Sequence, residues 1–243
     1  MKTMIFARRT LKEIVRDPLT VCFGLGFPVV LLILLTVIQS NVPVPLFELG
    51  KLTPGIAVFG LSFMTLFSAT VIAQDRQSEL LSRLCTTPMR PVDFILGYTL
   101  PILPLAFLQS LICYALSFAL GLQLSINALI AALFIVPVSF MFIFMGLAAG
   151  SVMNVKQVGG ICGALLTNLT AWLSGTWFDL ELVGGVFKTI SYCLPFVHAV
   201  EAGRKIISGT ADGLLLNVAV VAAYTVALGV LSIFLFGKKM RRK

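Results

Sequence analysis

Six apolar runs, at roughly 18–39, 53–73, 97–121, 126–153, 158–178 and 213–237, take up most of this 243-residue chain. A helix needs about 20 mostly apolar residues to cross the hydrocarbon core of a bilayer, and each run is long enough. What lies between them is too short for a soluble domain. Charged residues make up 12% of the chain, against about a quarter in an ordinary soluble domain, and the mean hydropathy is +1.02. The expected fold is therefore all-α and membrane-integral, one domain of six transmembrane helices over residues 1–243. The first apolar run follows a charged segment of seventeen residues with no small-residue cleavage site after it, so no cleaved signal peptide is expected.

Orientation follows from the basic residues. With the N-terminus inside, the inner segments hold fourteen Lys and Arg and the outer ones four, while the acidic residues split five and five. The positive-inside rule depends on such a Lys/Arg bias, and it puts both termini in the cytoplasm of a multi-pass protein, of the bacterial plasma membrane by expectation. The net charge of +8 is thus a membrane signature, and nucleic acid is not an expected partner. Residues 179–212 are apolar enough around 183–200 to suggest a seventh span. Lys188 and Pro195 interrupt that stretch, and a further crossing would carry the basic KKMRRK tail outside. A re-entrant outer element that does not cross fits better, its non-helical backbone shielded by protein.

Two amphipathic elements remain. In residues 1–17, Met4, Ala7, Leu11, Ile14 and Val15 share one face, and Lys2, Arg9, Lys12, Glu13 and Arg16 the other. A basic amphipathic helix ahead of a span lies in the inner interface, with Arg9, Lys12 and Arg16 toward membrane lipid. The second is a charged island at 74–96, which begins QDRQSELLSRLCTTPMRP. Leu80, Leu81 and Leu84 fall on one helical face. Glu79 and Arg83 form an i,i+4 pair in the favourable order, and Thr87-Pro88 supplies a stop. An ionisable residue at mid-bilayer costs about 2.5–3.5 kcal/mol, so the island stays outside the lipid. It reads either as a short cytoplasmic helix or as a solvated connector.

The order of these features resembles a known family. A basic interfacial helix, six spans, a first cytoplasmic loop reading ELLSRLCTTPMRPVDFILGY and an outer segment reading LPFVHAVEAGRKIISG look like a permease subunit of the ABC-2-type ABC exporters, in the branch of daunorubicin-type multidrug efflux. The resemblance implies that the first loop is a coupling helix docking on a separate ATPase, through Glu79, Leu80, Leu81, Arg83, Leu84, Thr86, Thr87 and Pro88. It also implies a second permease chain, the same or homologous. ATP and magnesium would sit on the partner ATP-binding-cassette subunits and no cofactor on this chain. In agreement, the chain has no GxxxxGK[ST] phosphate loop, since Gly50-Lys51 lacks the upstream glycine and the following Ser or Thr. The expected cargo is an amphipathic or lipophilic drug, lipid or peptide, because nearly uncharged spans offer no counter-charge to a polyanion. Polysaccharide or glycolipid export is the alternative within the class. An ion-coupled secondary transporter is the rival outside it, and that would need intramembrane acids or broken helices in paired halves.

Other residues have plainer readings beside their functional ones. Gly160, Ala164, Asn168, Ala171 and Gly175 line one face of the fifth run, a small-residue pattern that lets helices approach closely. Such a face serves packing within one chain, or, on the resemblance, a dimer seam or pathway lining together with Ser62 and Thr65 of the second run. Phe59, Phe63 and Phe67 form an aromatic stripe there, suited to lipid, core or an amphiphile. In the outer segment Pro195 opens a helix on which Glu201 pairs with Arg204 or Lys205. His198 has no companions for a metal site, and the odd five cysteines read as free thiols. Trp172 and Trp177 fit an interfacial aromatic belt.

Overall fold

A computed structural model describes residues 2–43, 47–78 and 90–240 of the chain. The described residues form helices and no strand. Helix α1 is Lys2–Val15. α2 joins Pro18–Val21, a π-helical turn at Cys22–Gly26 and Phe27–Asn41. α3 is Leu49–Gln77, α4 Pro91–Ala119 and α5 Ile126–Val152. α6 joins Val155–Val158, the π-helical Gly159–Leu166 and Thr167–Leu173. α7 is Leu180–Val183, α8 Gly185–Cys193, α9 Pro195–Ser208 and α10 Leu214–Met240. The starts are set by local chemistry. Ser125 caps α5, an Asn154/Gln157 capping box opens α6, and Pro195 occupies the first turn of α9. Gly209 ends α9 at φ +71°, a left-handed conformation that glycine adopts without strain.

Among the described residues, α2 to α6 and α10 run alongside one another, successive members reversing direction. α2 passes Phe67 and Met64 at its start and packs beside Leu52 at its end, so it is antiparallel to α3. α4 starts beside the end of α3, where Tyr98 meets Asp75, and finishes where Ser117 meets Thr53. α5 returns, with Phe142 opposite Thr65 and Gly150 opposite Ala69. α6 then climbs α3 from Ala69 and Ala73, beside Val158 and Cys162, past Leu66, and Thr176, three residues beyond its end, sits on Gly55. The eighteen positions from residue 55 to residue 73 rise about 27 Å, close to the ~30 Å of a bilayer core. α10 starts beside α9 at Asn217 and ends with Phe236 on Phe94. α1 and the end of α10 thus lie at one end of the molecule, and α7, α8 and α9 at the other.

Five helices are long and apolar enough to cross a membrane: Cys22–Asn41, Leu49–Gln77, Pro91–Ala119, Ile126–Val152 and Leu214–Lys238. The sixth expected run, 158–178, corresponds to α6, whose Lys156, Gln157 and Asn168 keep it out of that set. Residues 179–212 hold three short helices, none of crossing length. α3 is the core, buried on nearly every side. Its tightest neighbour is α5. A methyl on Gly146 would overlap the carbonyl of Thr65, and one on Gly150 that of Ala69. The close approach lets Thr65 Oγ1 donate to Phe142 O at 2.8 Å and Ser68 Oγ to Ile143 O at 3.2 Å. In lipid, where apolar burial drives no association between helices, close packing and such bonds hold the bundle together.

Candidate functional site

The expected coupling residues Glu79, Leu80, Leu81, Arg83, Leu84, Thr86, Thr87 and Pro88 lie outside the described residues. Both ends of their loop are described, and both contact α1, through Arg9 on one side and Thr3 on the other. Asp75, two residues before the end of α3, is only 2% exposed. Arg9 grips its carboxylate with both terminal nitrogens, Nη1 to Oδ2 at 2.7 Å and Nη2 to Oδ1 at 2.9 Å. Tyr98 Oη donates to Oδ2 at 2.8 Å. A bidentate guanidinium–carboxylate pair fixes angle as well as distance, so α1, α3 and α4 are locked in one geometry.

Adjacent Arg76 points the other way. Its Nη1 donates to Gly150 O at 2.7 Å and Met153 O at 3.1 Å, closing the last turn of α5. A cation there satisfies orphan carbonyls and opposes the negative end of the helix dipole. On the far side of the loop, Asp93 Oδ2 accepts the Arg90 N–H at 2.9 Å, and Thr3 Oγ1 reaches Asp93 Oδ1 at 3.5 Å. Phe6 of α1 sits over Gly97 between Phe94 and Tyr98, both in edge-on contact at 5.7 and 4.8 Å. The residues on either side of the loop thus contact α1, α4 and α5.

Glu13 completes the cluster around Arg9. Arg9 Nη2 lies 3.0 Å from its Oε2, an ion pair whose geometry leaves that buried oxygen without a hydrogen bond. Burial pushes the Glu13 carboxyl above its usual range, the Asp75 charge adds to this, and Arg9 opposes both.

Of the basic residues expected to face lipid, Arg9 is turned inward by Asp75, whereas Lys12 and Arg16 are exposed. The expected single apolar face of α1 divides. Ala7 and Ile14 pack on the protein with Phe6, while Met4, Leu11 and Val15 stay exposed. The seam-or-pathway set also divides. Gly160, Ala164 and Asn168 form an exposed face of α6 with Leu165 and Trp172. Ala171 is in the core, and the carbonyl of Gly175 accepts from Arg204 Nη2 at 2.8 Å. Ser62 and Thr65 are fully buried within the protomer, bonded to Phe59 O and Phe142 O. The Phe59–Phe63–Phe67 stripe is likewise buried, with Phe27 against its first two rings and Gly24 over the third.

At the opposite end Arg204 ties three elements: Nε donates to Lys51 O at 3.1 Å, Nη2 to Gly175 O, and Nη1 pairs with Glu201 at 3.2 Å. They border a cavity of about 760 Å³ that Trp177 and Phe178 also line. His198 bridges Asn217 at 2.8 Å and Tyr192 O at 3.0 Å, holding α8 and α9 to α10. Among the described residues no group of three or more His, Cys, Asp or Glu is placed to hold a metal ion. The Asp75 and Arg76 contacts were missed from sequence. Their signal is a charged pair on the last turns of an otherwise apolar helix. A family model described as ABC-2 type transporter matches residues 1–208. No curated protein matches the chain.

Proposed function

Because the chain belongs to the ABC-2 type transporter family, in which it is a transport subunit, we propose that it is the permease of an ATP-driven exporter. It crosses the membrane six times, with α1, the 79–89 loop and the end of α10 in the cytoplasm. α6 supplies the sixth crossing; its antiparallel run along α3 from Ala73 toward Gly55 supports this. The Lys/Arg bias supports the orientation. A cytoplasmic ATP-binding-cassette subunit, carrying ATP and magnesium, docks on the loop through Glu79, Leu80, Leu81, Arg83, Leu84, Thr86, Thr87 and Pro88. A second permease chain packs on the exposed face of α6 around Gly160, Ala164 and Asn168. The cargo is an amphipathic or lipophilic molecule, since the only charge buried in α3 is Asp75, which Arg9 already answers.

One observation carries the reading: Asp75 and Arg76, at the root of the loop, are bonded to three other helices. A loop so anchored passes a push on to α1, α4 and α5, where a loosely hung connector would absorb it. The test is a detergent pull-down of the tagged protein from its native host, assayed for ATP hydrolysis and repeated with Glu79→Arg plus Leu84→Asp. ATPase activity should co-purify and be lost in the double variant while the variant still inserts and folds. Full retention in the variant, or no activity with the unaltered chain, would refute the docking role.

A further inference from the structure

α1 has three faces rather than two. Stepping about 100° per residue, Phe6, Thr10, Ile14 and Ala7 fall in the sector packed on the protein. Leu11, Met4 and Val15 fall in a second, exposed sector. Arg8, Lys12 and Arg16 follow as a third, at i, i+4 and i+8, and all three are exposed. Arg9 stands next to them, but Asp75 and Glu13 consume its charge. None of the other three forms an ion pair among the described residues. They line a cavity of about 660 Å³ together with Ile5, Arg9 and two carboxylates, Glu13 and Asp17, so that four cations face two anions there. This excess of cations beside an exposed apolar stripe suits a ligand that is anionic at one end and apolar at the other.

We propose that Arg8, Lys12 and Arg16 form a binding site for the headgroup phosphate of an anionic phospholipid, its acyl chains lying along Met4, Leu11 and Val15. The bound lipid presses α1 onto α4 and so supports the Arg9–Asp75 link at the root of the loop. The site rests on reading α1 as an interfacial helix in the function proposed above. It needs no ATPase, so failure of the pull-down would leave it standing, and its own failure would leave the transport reading standing.

The full chain, purified in uncharged detergent, is melted with increasing phosphatidylglycerol, phosphatidylcholine or inorganic phosphate. Phosphatidylglycerol should raise the melting temperature to a plateau, while the other two at equal concentration should not. Each near-surface cation contributes about fivefold in affinity, so Arg8→Gln/Lys12→Gln/Arg16→Gln should raise the half-saturating phosphatidylglycerol concentration about a hundredfold. Arg8→Lys/Arg16→Lys keeps the charge and should stay within about twofold of the unaltered chain. An unchanged response in the triple variant, or an equal response to phosphatidylcholine, would overturn the site. A plateau reached with phosphate alone would identify a free-anion site and overturn the lipid assignment.

Discussion

Replacing Arg9 by Gln tests the loop root most directly. The change leaves the Asp75 carboxylate 2% exposed with Tyr98 as its remaining side-chain donor. Removing one partner of a buried ion pair costs about 3–5 kcal/mol. Arg9's side chain is 39% exposed, so water reaches the gap and the loss falls to about 2–3 kcal/mol. A chain of this size loses about 2–4 °C per kcal/mol, which gives a fall of about 4–12 °C in melting temperature. Arg8→Gln, one residue away and unpaired, should change stability by no more than about 0.5 kcal/mol. Asp75→Asn removes the charge while leaving an oxygen for Tyr98, so the double change should cost less than the sum of the two single ones. The assay is a fluorescence melt in detergent, with limited proteolysis of α1 alongside. Equal melting of Arg9→Gln and Arg8→Gln, or strict additivity in the double variant, would refute the claim that Asp75 holds α1.

Two further outcomes follow from the packing and the charges. Gly150→Leu drives a side chain into the α3 backbone at Ala69 and should cost at least about 3 kcal/mol, whereas Gly160→Leu meets open space and should leave the melting of the single chain unchanged. Paired melts of the two variants check this. Glu13's carboxyl is raised in the folded state, so the folded form binds the proton more tightly; its contribution is greatest at acid pH and is lost as pH rises through the folded-state value. Glu13→Gln should flatten the pH dependence of melting above the ordinary carboxylate range, and a parallel offset at every pH would contradict the assignment.

Run length, charge bias and caps were legible because each rests on local chemistry. Apolar runs marked the five long helices, and the Lys/Arg count proposes a side for each loop. Proline and lysine in 179–212 pointed to short helices there. Faces were another matter. Gly160 and Ala164 show the small-residue spacing that invites close packing, yet they stay open, and the tight contact belongs to Gly146 and Gly150 on α5. Arg9, Lys12 and Arg16 share a polar face by periodicity, but Asp75, sixty-six positions along the chain from Arg9, takes Arg9 alone. The physical reason is the solvent. In water, an apolar face can be satisfied only by protein, so periodicity alone tells which side is buried. In a bilayer, lipid satisfies an apolar face as well as protein does. Composition and pattern therefore determine that these helices form and lie in a membrane. Only tertiary contact between distant residues, through backbone closeness and buried polar bonds, decides which faces meet.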